Sequence, residues 1–263
     1  MSGQRISFAG YGAGDDARDV ETILRAGAAF RRDGMIVLDD LVDPRVVERA
    51  RAAIERGHPD YIERDPERSF GLYPGRFTLP LPLRGALADR ALLCPPAVRS
   101  LLDRLLGDAY VMDSSGVLVS LPEAEDQSWH PDALLFPELP IDRLLPPVAV
   151  AFSLPLVRMD EISGSTGFRV GSHVAPDKNV LEFAPVVPVG SALLWDFRVT
   201  HRGLANRSNR PRPVAFTVFC RDWWVETAPR EAIHYEKLTV ARSVAATFDK
   251  GMHRIMSRAK VID

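Results

Sequence analysis

The second half of the chain constrains the fold most, because short extended segments follow one another there with no helical pattern between them. These segments are rich in β-branched and aromatic residues, and Gly, Pro, Asn, Asp or Ser separates them; examples are VAVAF, ALLWDF and VAFTVFC. About eight such segments lie between residues 109 and 221. Parallel strands need long crossover connections, usually helices, so this pattern favours an antiparallel sandwich or barrel.

The first hundred residues carry helical patterns instead. Asp43 and Pro44, for example, are an N-cap residue and a first-turn proline, and Gly57 is a stop signal. The predicted elements are helices over 17–34, 43–57, 85–93, 96–106 and 239–260, a strand over 35–42, and an irregular loop over 68–83 that is rich in Gly, Pro and aromatic residues.

One domain over residues 1–263 is predicted, mainly β with a helical N-terminal layer. Its helical and loop part covers about 1–108, its double-stranded β-core about 109–224 and its C-terminal helix about 239–260.

Composition narrows the class of partner. The formal net charge is −2, so neither nucleic acid nor an anionic membrane is an expected partner. The two cysteines form no metal-type pair, and the N-terminus has no apolar stretch long enough for a signal peptide. We therefore expect a cytoplasmic protein whose partner is a small-molecule substrate; the oligomeric state is left open.

The tripeptide His-Pro-Asp occurs twice, at residues 58–60 and 130–132. His58 follows Gly57 at the end of a predicted helix, where a histidine interacts favourably with the helix dipole. The first copy is therefore interpreted as part of a helix C-terminus and not as a metal site. His130 lies among predicted strands, and strand residues two apart project to the same face. His130 and Asp132 can therefore direct an imidazole and a carboxylate to one point.

A third metal ligand is needed, and His201 is the candidate. It lies between two predicted strands, and the chain that separates it from Asp132 is long enough to cross the core and return. The other histidines, His173, His234 and His253, fall in a turn, a polar stretch and the C-terminal helix. Two histidines and one carboxylate leave coordination positions open, which suits a non-heme Fe(II) that binds a co-substrate and O2.

An arginine that follows His201 in the sequence indicates a binding site for an anion. Arg212 shares a strand face with Val214 and Phe216, and a guanidinium there is costly to desolvate unless it binds an anion such as a carboxylate. Arg207 and Arg210 are predicted to lie on the surface.

The chain resembles the phytanoyl-CoA dioxygenase family of Fe(II)/2-oxoglutarate-dependent oxygenases in three segments: SWHPD, GSTGFRVGSH and SALLWDFRVTHRGLANRSNRPRPVAFTVFCRDWW. Family members carry H-x-D on one strand, a PGSH-like segment, and a D-x-R-x-x-H-R-G-x-A-N-x-S run with a later arginine. The resemblance covers about residues 109–224 in detail. It implies a double-stranded β-helix core, which is a cupin-like jelly-roll.

The resemblance also implies roles for single residues. It makes His130, Asp132 and His201 the catalytic iron ligands. The family's 2-oxoglutarate-binding arginine usually lies eleven residues after the distal histidine, which gives Arg212, with Arg210 as the second candidate.

Two positions depart from the family pattern. Gly203 stands where members often have a hydroxyl-bearing residue, and Val170 replaces the proline of PGSH. Arg76 is a candidate second contact to the co-substrate. Gln127 either faces the co-substrate or closes a strand.

Family chemistry would consume O2 and 2-oxoglutarate and release succinate and CO2. A carboxylate at Asp132 favours hydroxylation over halogenation, because related halogenases have a small residue there. Loops 68–83 and 133–147 and the pair Trp223-Trp224 are expected to form apolar walls around a mostly hydrophobic substrate. Two alternatives stay open: a cupin-type metal protein that acts without 2-oxoglutarate as a hydrolase or isomerase, and a non-catalytic relative.

Overall fold

The computed structural model describes residues 4–58, 74–137, 139–175, 181–225 and 238–263. Its strands are β1 (Arg5–Ser7), β2 (Met35–Asp39), β3 (Arg76–Pro80), β4 (Tyr110–Ser120), β5 (Ala149–Pro155), β6 (Thr166–Arg169), β7 (Glu182–Phe183), β8 (Ala192–Asp196), β9 (His201–Gly203), β10 (Arg212–Arg221), β11 (Thr239–Ala241) and β12 (Lys260–Ile262). Its helices are α1 (Asp16–Asp33), α2 (Pro44–Gly57), α3 (Arg90–Leu93), α4 (Pro96–Leu106), α5 (Arg242–Ala245) and α6 (Lys250–Ile255), with 3₁₀ turns at Gly85–Ala88 and Pro140–Leu144.

A large mixed sheet and a small sheet form the centre of the fold. The large sheet has the order β1-β2-β8-β5-β10-β4-β3, and the small sheet has the order β7-β6-β9. Every pair in these two sheets is antiparallel except β1 with β2. The prediction of a mainly β, jelly-roll protein with a helical N-terminal layer is confirmed.

Alternating side chains on the large sheet build two separate cores. On β8, Leu194 packs into the cluster that joins the sheet to Phe30 of α1 and Leu102 of α4. Its neighbour Trp195 packs into a second cluster, which reaches Phe168 of the small sheet. The space between the two sheets is therefore lined from one face of β8, and the helices cover the other face.

The N-terminal helices begin and end where their capping residues predict. The Asp43 side chain accepts a hydrogen bond from the Arg45 amide at the start of α2, and Pro44 is its first residue. α1 ends at Gly34, whose φ of 77° is left-handed. A Cβ on Gly34 would lie 2.5 Å from His173 Nδ1, so glycine also permits this close contact.

The predicted loop over 68–83 is wrong for part of its length, because Arg76–Pro80 forms β3. This strand pairs with β4, with Arg76 opposite Ser120 and Pro80 opposite Gly116. β3 lies at the edge of its sheet, where proline costs no ladder hydrogen bond on the open side. Residues 68–73 lie outside the described part of the chain.

The predicted single helix over 239–260 is also wrong. Thr239–Ala241 pairs in parallel with Lys260–Ile262, and two short helices lie between these strands. The Asp249 side chain accepts the Met252 amide, which starts α6 as a new helix. Similarly, the predicted helix over 85–93 divides into the 3₁₀ turn and α3 at Asp89, whose side chain caps α3.

No helix within the described ranges is long and apolar enough to cross a membrane.

Candidate metal centre

Backbone pairing joins the two candidate histidines directly. His130 and His201 exchange both N–H···O hydrogen bonds, at 3.0 and 2.9 Å, as one isolated antiparallel bridge. Residues opposite each other in such a pair project to the same face, and the two imidazole centroids are 4.7 Å apart. The strand predicted for QSWHPD is therefore reduced to this one bridge, which is enough to align the two rings.

A second backbone contact brings in the carboxylate. The Asp132 amide donates to the Phe197 carbonyl at 2.8 Å, just beyond the end of β8. One ligand atom from each of His130, Asp132 and His201 then lies within 4.8 Å of the others, and His201 Nε2 is 3.5 Å from Asp132 Oδ1. The structure thus brings together the three residues that the sequence singled out.

Both imidazoles are held in the tautomer that a metal needs. His130 Nδ1 lies 2.8 Å from the Ser128 carbonyl, and His201 Nδ1 lies 3.0 Å from the Val199 carbonyl. A carbonyl only accepts hydrogen bonds, so the neutral form of each ring carries its proton on Nδ1 and has its lone pair on Nε2. Burial lowers the pKa of His201 and is the largest effect on it, although Asp132 acts in the opposite direction. Neutral imidazoles and a carboxylate are a suitable donor set for a divalent iron.

The Asp132 carboxylate is oriented from its other side by Trp195. The indole Nε1 donates to Asp132 Oδ2 at 2.9 Å, which leaves Oδ1 towards His201. Trp195 also lies 5.3 Å from the His201 ring, centroid to centroid. Sequence reasoning did not find this residue, since only the register between β8 and the His130 segment places its indole beside Asp132.

Two buried arginines lie side by side near β9. Arg212 Nη2 donates to Ser120 Oγ at 2.9 Å, and Arg76 donates to the same oxygen. Both guanidiniums also donate to the Leu204 carbonyl. Burial and the positive charge of Arg76 lower the pKa of Arg212 to about 9. Ser120, which joins the two arginines, is a second residue that the sequence did not single out.

Nothing in the described part of the chain neutralises Arg212. Its hydrogen-bond acceptors there are two carbonyls and one hydroxyl, it forms no ion pair there, and its buried Nε has no hydrogen-bond partner. A buried cation without a counter-charge is expensive, and a bound anion removes that cost.

Gly203 makes room for the second arginine. A Cβ at this position would lie 2.6 Å from Gln127 Oε1 and 3.0 Å from Arg76 Nη1. Gln127 Oε1 accepts the Gly203 amide at 2.8 Å, and the Gln127 amide donates to the Gly203 carbonyl. Gln127 therefore closes β9, and its predicted contact with the co-substrate stays a prediction.

The remaining candidates lie elsewhere. His58 ends α2 as expected, while Pro59 and Asp60 of the first copy and also His234 lie outside the described residues. Arg207 and Arg210 are exposed.

The expected apolar walls are only partly in contact with this core. Ala133 and Leu135 pack against the cluster that contains Trp195, and Trp224 packs edge to face against Phe197 with 5.9 Å between ring centroids. Trp223 is 61% exposed.

Comparison with known proteins gives one family and a set of similar folds. The family model described as phytanoyl-CoA dioxygenase (PhyH) matches residues 30–214. The epimerase SnoN, in a crystal structure with Fe3+, alpha ketoglutarate and nogalamycin RO, is 18% identical with a TM-score of 0.63, over 84% of this chain and 94% of that one.

Two structures of Streptomyces proteins also resemble this chain in fold at low sequence identity. AviO1 from Streptomyces viridochromogenes Tue57 is 18% identical with a TM-score of 0.60, over 77% of this chain and 96% of its own. HygX from Streptomyces hygroscopicus, with nickel and 2-oxoglutarate bound, is 16% identical with a TM-score of 0.59, over 76% and 87%. At these identities the likeness establishes the fold.

Proposed function

The chain belongs to the phytanoyl-CoA dioxygenase (PhyH) family, and from this membership we propose that it hydroxylates an unactivated C–H bond of a mostly apolar small molecule. The broader class is a non-heme iron enzyme that uses 2-oxoglutarate. The observation that carries the proposal is the buried guanidinium of Arg212, which forms no ion pair with a described residue and donates to the carbonyl of Leu204, three residues after His201. A metal protein that acted without an anionic co-substrate would leave that charge without a purpose.

The three clustered residues are the proposed iron ligands. His130 and His201 would bind through Nε2, and Asp132 would bind through Oδ1 because Trp195 holds Oδ2. Bound Fe(II) would supply oxidation by O2 coupled to the decarboxylation of 2-oxoglutarate, with one oxygen atom going to the C–H bond and one to succinate.

The arginines are the proposed binding site for the co-substrate. Arg212 would bind the distal carboxylate of 2-oxoglutarate, because its planar fork matches two carboxylate oxygens and its Nε lacks a partner among the described residues. Arg76 would add a second positive charge beside it. Gln127 would position both indirectly by fixing Gly203 of β9.

The substrate is proposed from the walls of the site. Trp195 and Phe168 lie against the His201 ring, and Ala133 and Leu135 pack against the same apolar cluster. This apolar surface favours a substrate with a hydrophobic reacting part. The SnoN structure holds nogalamycin RO, and a second crystal structure of HygX holds hygromycin B; both are small molecules.

Anaerobic visible spectroscopy tests this proposal. Addition of Fe(II) and 2-oxoglutarate should give a weak absorption band near about 500 nm, the expectation for a chelated complex with this ligand set. The band should be lost in Asp132→Ala, weakened in Arg212→Ala and unchanged in the control His58→Ala. Wild-type protein without any band would refute the use of 2-oxoglutarate and favour the cupin-type alternative.

Product analysis then separates the possible reactions. Hydroxylation adds one oxygen atom to the substrate, derived from 18O2, while epimerisation, the reaction named for SnoN, leaves the substrate mass unchanged. An unchanged product mass together with 2-oxoglutarate consumption would overturn the hydroxylase assignment.

A further inference from the structure

Trp129 and His130 are consecutive residues that point to opposite faces of the segment beside the small sheet. His130 is paired with His201 in an antiparallel bridge, which places Trp129 opposite Arg202 on the other face. The indole reaches across to Gly167 of β6, where a Cβ would lie 3.4 Å from Trp129 Cη2. The imidazole of His130 therefore faces the metal cluster, and the indole packs on the outer face of the small sheet.

Two guanidiniums lie over the indole of Trp129. The Cζ atom of Arg169 is 4.7 Å from the centroid of the ring, and the Cζ atom of Arg202 is 4.5 Å from it. A guanidinium within about 6 Å of an indole centroid is attracted by the negative face of the ring. We call these three side chains the indole–guanidinium cluster.

Each guanidinium of this cluster is also held by a carboxylate. Arg169 Nε lies 3.5 Å from Glu182 Oε1, and Arg202 Nη1 lies 3.2 Å from Asp126 Oδ2. Asp126 in turn accepts the Ala205 amide at 2.7 Å through Oδ1. The two arginines are therefore fixed independently of the indole, by groups on β7 and on the chain beside β9.

The orientation of His130 depends on the register of a very short pairing. One isolated bridge joins His130 to His201, and a slip of one residue would turn the imidazole to the outer face and the indole to the metal side. Such a slip would also remove the indole from both guanidiniums. Moreover, Trp129 is the residue between the His130 ring and the Ser128 carbonyl that holds its Nδ1 at 2.8 Å.

We propose that Trp129 is a positioning residue for the metal centre. The attraction of Arg169 and Arg202 for the indole keeps Trp129 on the outer face, and this keeps the imidazole of His130 directed at the metal. The inference rests on the proposed metal ligands. It does not require that the co-substrate is 2-oxoglutarate.

Calorimetric titration of the metal-free full-length protein with Ni(II) tests the proposal. Trp129→Ala should lower the affinity by about tenfold or more, the range found when a group that orients a metal ligand is lost. Trp129→Phe should stay within about threefold of the wild type, because phenylalanine keeps a ring face for the guanidiniums. Trp223→Ala removes an exposed tryptophan and is the matched control, with the affinity of the wild type.

A second pair of variants tests the role of the two arginines. Arg169→Met/Arg202→Met keeps most of the side-chain stems but removes both charges, and it should also weaken Ni(II) binding, by about threefold or more. Its control is Arg158→Met/Arg207→Met, at two exposed positions. Equal affinities in these two double variants would overturn the role of the guanidiniums. If Trp129→Ala does not fold, this pair carries the test.

Pulsed electron paramagnetic resonance of the Cu(II)-loaded proteins separates positioning of His130 from general stability, because it counts the imidazoles on the metal. We expect two imidazole ligands in the wild type and in Trp223→Ala, and one in Trp129→Ala. The thermal midpoint of each metal-free variant checks that it is folded. Wild-type Ni(II) affinity in Trp129→Ala would overturn the proposal, as would a weakened affinity with both imidazoles still bound.

The Ni(II) titration keeps this proposal apart from the proposed function. A loss of Ni(II) affinity in Trp129→Ala, together with no 2-oxoglutarate band in the wild type, supports the role of Trp129 and refutes the use of 2-oxoglutarate. A normal band in a wild type whose Ni(II) affinity equals that of Trp129→Ala refutes the role of Trp129 alone. Wild-type protein that binds no Ni(II) would overturn both.

Discussion

Trp195 and Asp132 are joined by a hydrogen bond of 2.9 Å from the indole Nε1 to Oδ2. The bond occupies one carboxylate oxygen and directs the other towards His201. Trp195 is buried in the strand β8, whereas Asp132 lies on an exposed connecting segment. The buried indole of Trp195 therefore fixes the orientation of the more exposed carboxylate of Asp132.

Trp195→Phe should weaken metal binding without unfolding the protein. Phenylalanine keeps much of the ring packing but removes the donor, and loss of such an outer-sphere partner typically costs about 10–100-fold in metal affinity. Ni(II) titration measures the change, with the thermal midpoint as the check on folding. Trp223→Phe, at an exposed position, is the control and should bind Ni(II) like the wild type. An unchanged affinity in Trp195→Phe would show that the hydrogen bond does not orient a metal ligand.

Gly203→Ala should weaken binding of 2-oxoglutarate. The added Cβ would lie 2.6 Å from Gln127 Oε1 and 3.0 Å from Arg76 Nη1, so one or both side chains must move. We expect about a tenfold rise in the dissociation constant of 2-oxoglutarate and a loss of about 1–3 kcal/mol in the free energy of unfolding, as for other overpacked sites. Calorimetry and urea unfolding measure the two effects.

Gly167→Ala is the matched control, because this glycine lies in the same small sheet and its new Cβ would approach other atoms no closer than 3.4 Å. If both alanine variants bind 2-oxoglutarate equally well, the space at Gly203 is not required by the arginine pair.

Arg212→Met should abolish the stabilisation that 2-oxoglutarate gives to the folded protein. A ligand at about 100 times its dissociation constant stabilises by about 2.7 kcal/mol, and methionine cannot bind its distal carboxylate. Thermal unfolding with Ni(II), with and without 2-oxoglutarate, measures this difference in both proteins. A wild-type shift that persists in Arg212→Met would place the co-substrate elsewhere, and Arg210→Met then becomes the variant to compare.

Arg198→Leu should destabilise the fold by about 3–5 kcal/mol, because it leaves the buried carboxylate of Asp196 without its partner. Arg198 also donates to the carbonyls of Asp142 and Leu145, so the segment around residues 142–145 loses its attachment. Urea unfolding measures the loss. The double variant Asp196→Asn/Arg198→Leu should recover part of it; a double variant as unstable as the sum of the singles would mean that the ion pair is not the cause.

The sequence correctly predicted those helix boundaries that depend on capping residues a few positions apart. Asp43 with Pro44 correctly predicted the start of α2, and Gly34 predicted the end of α1. The sequence could not predict β3, because a segment interrupted by prolines becomes a strand only through pairing with β4. At the C-terminus, Asp249 offers a cap that begins a new helix, and the periodic pattern over 239–260 conceals this break.

Some residues of the candidate site could likewise be predicted from the sequence, and others could not. The spacing of His130 and Asp132, together with the resemblance of the His201 segment, identified residues that the structure brings within 4.8 Å. Trp195 and Ser120 depend on how distant strands align, and a single sequence does not contain that register. Arg76 was singled out on a segment predicted to be irregular, yet its burial follows from its place opposite Ser120.

The direct backbone pairing of His130 with His201 has a consequence for how this scaffold can change. The separation of the two imidazoles is set by one pair of reciprocal hydrogen bonds, and the apolar loop that follows Asp132 does not take part in it. Loop length and composition can therefore drift, or be exchanged by an engineer, while the spacing of the two histidines is inherited intact. We therefore expect that changes of substrate selectivity within residues 133–141, ahead of the carbonyls that Arg198 holds, would leave the proposed metal ligands in place.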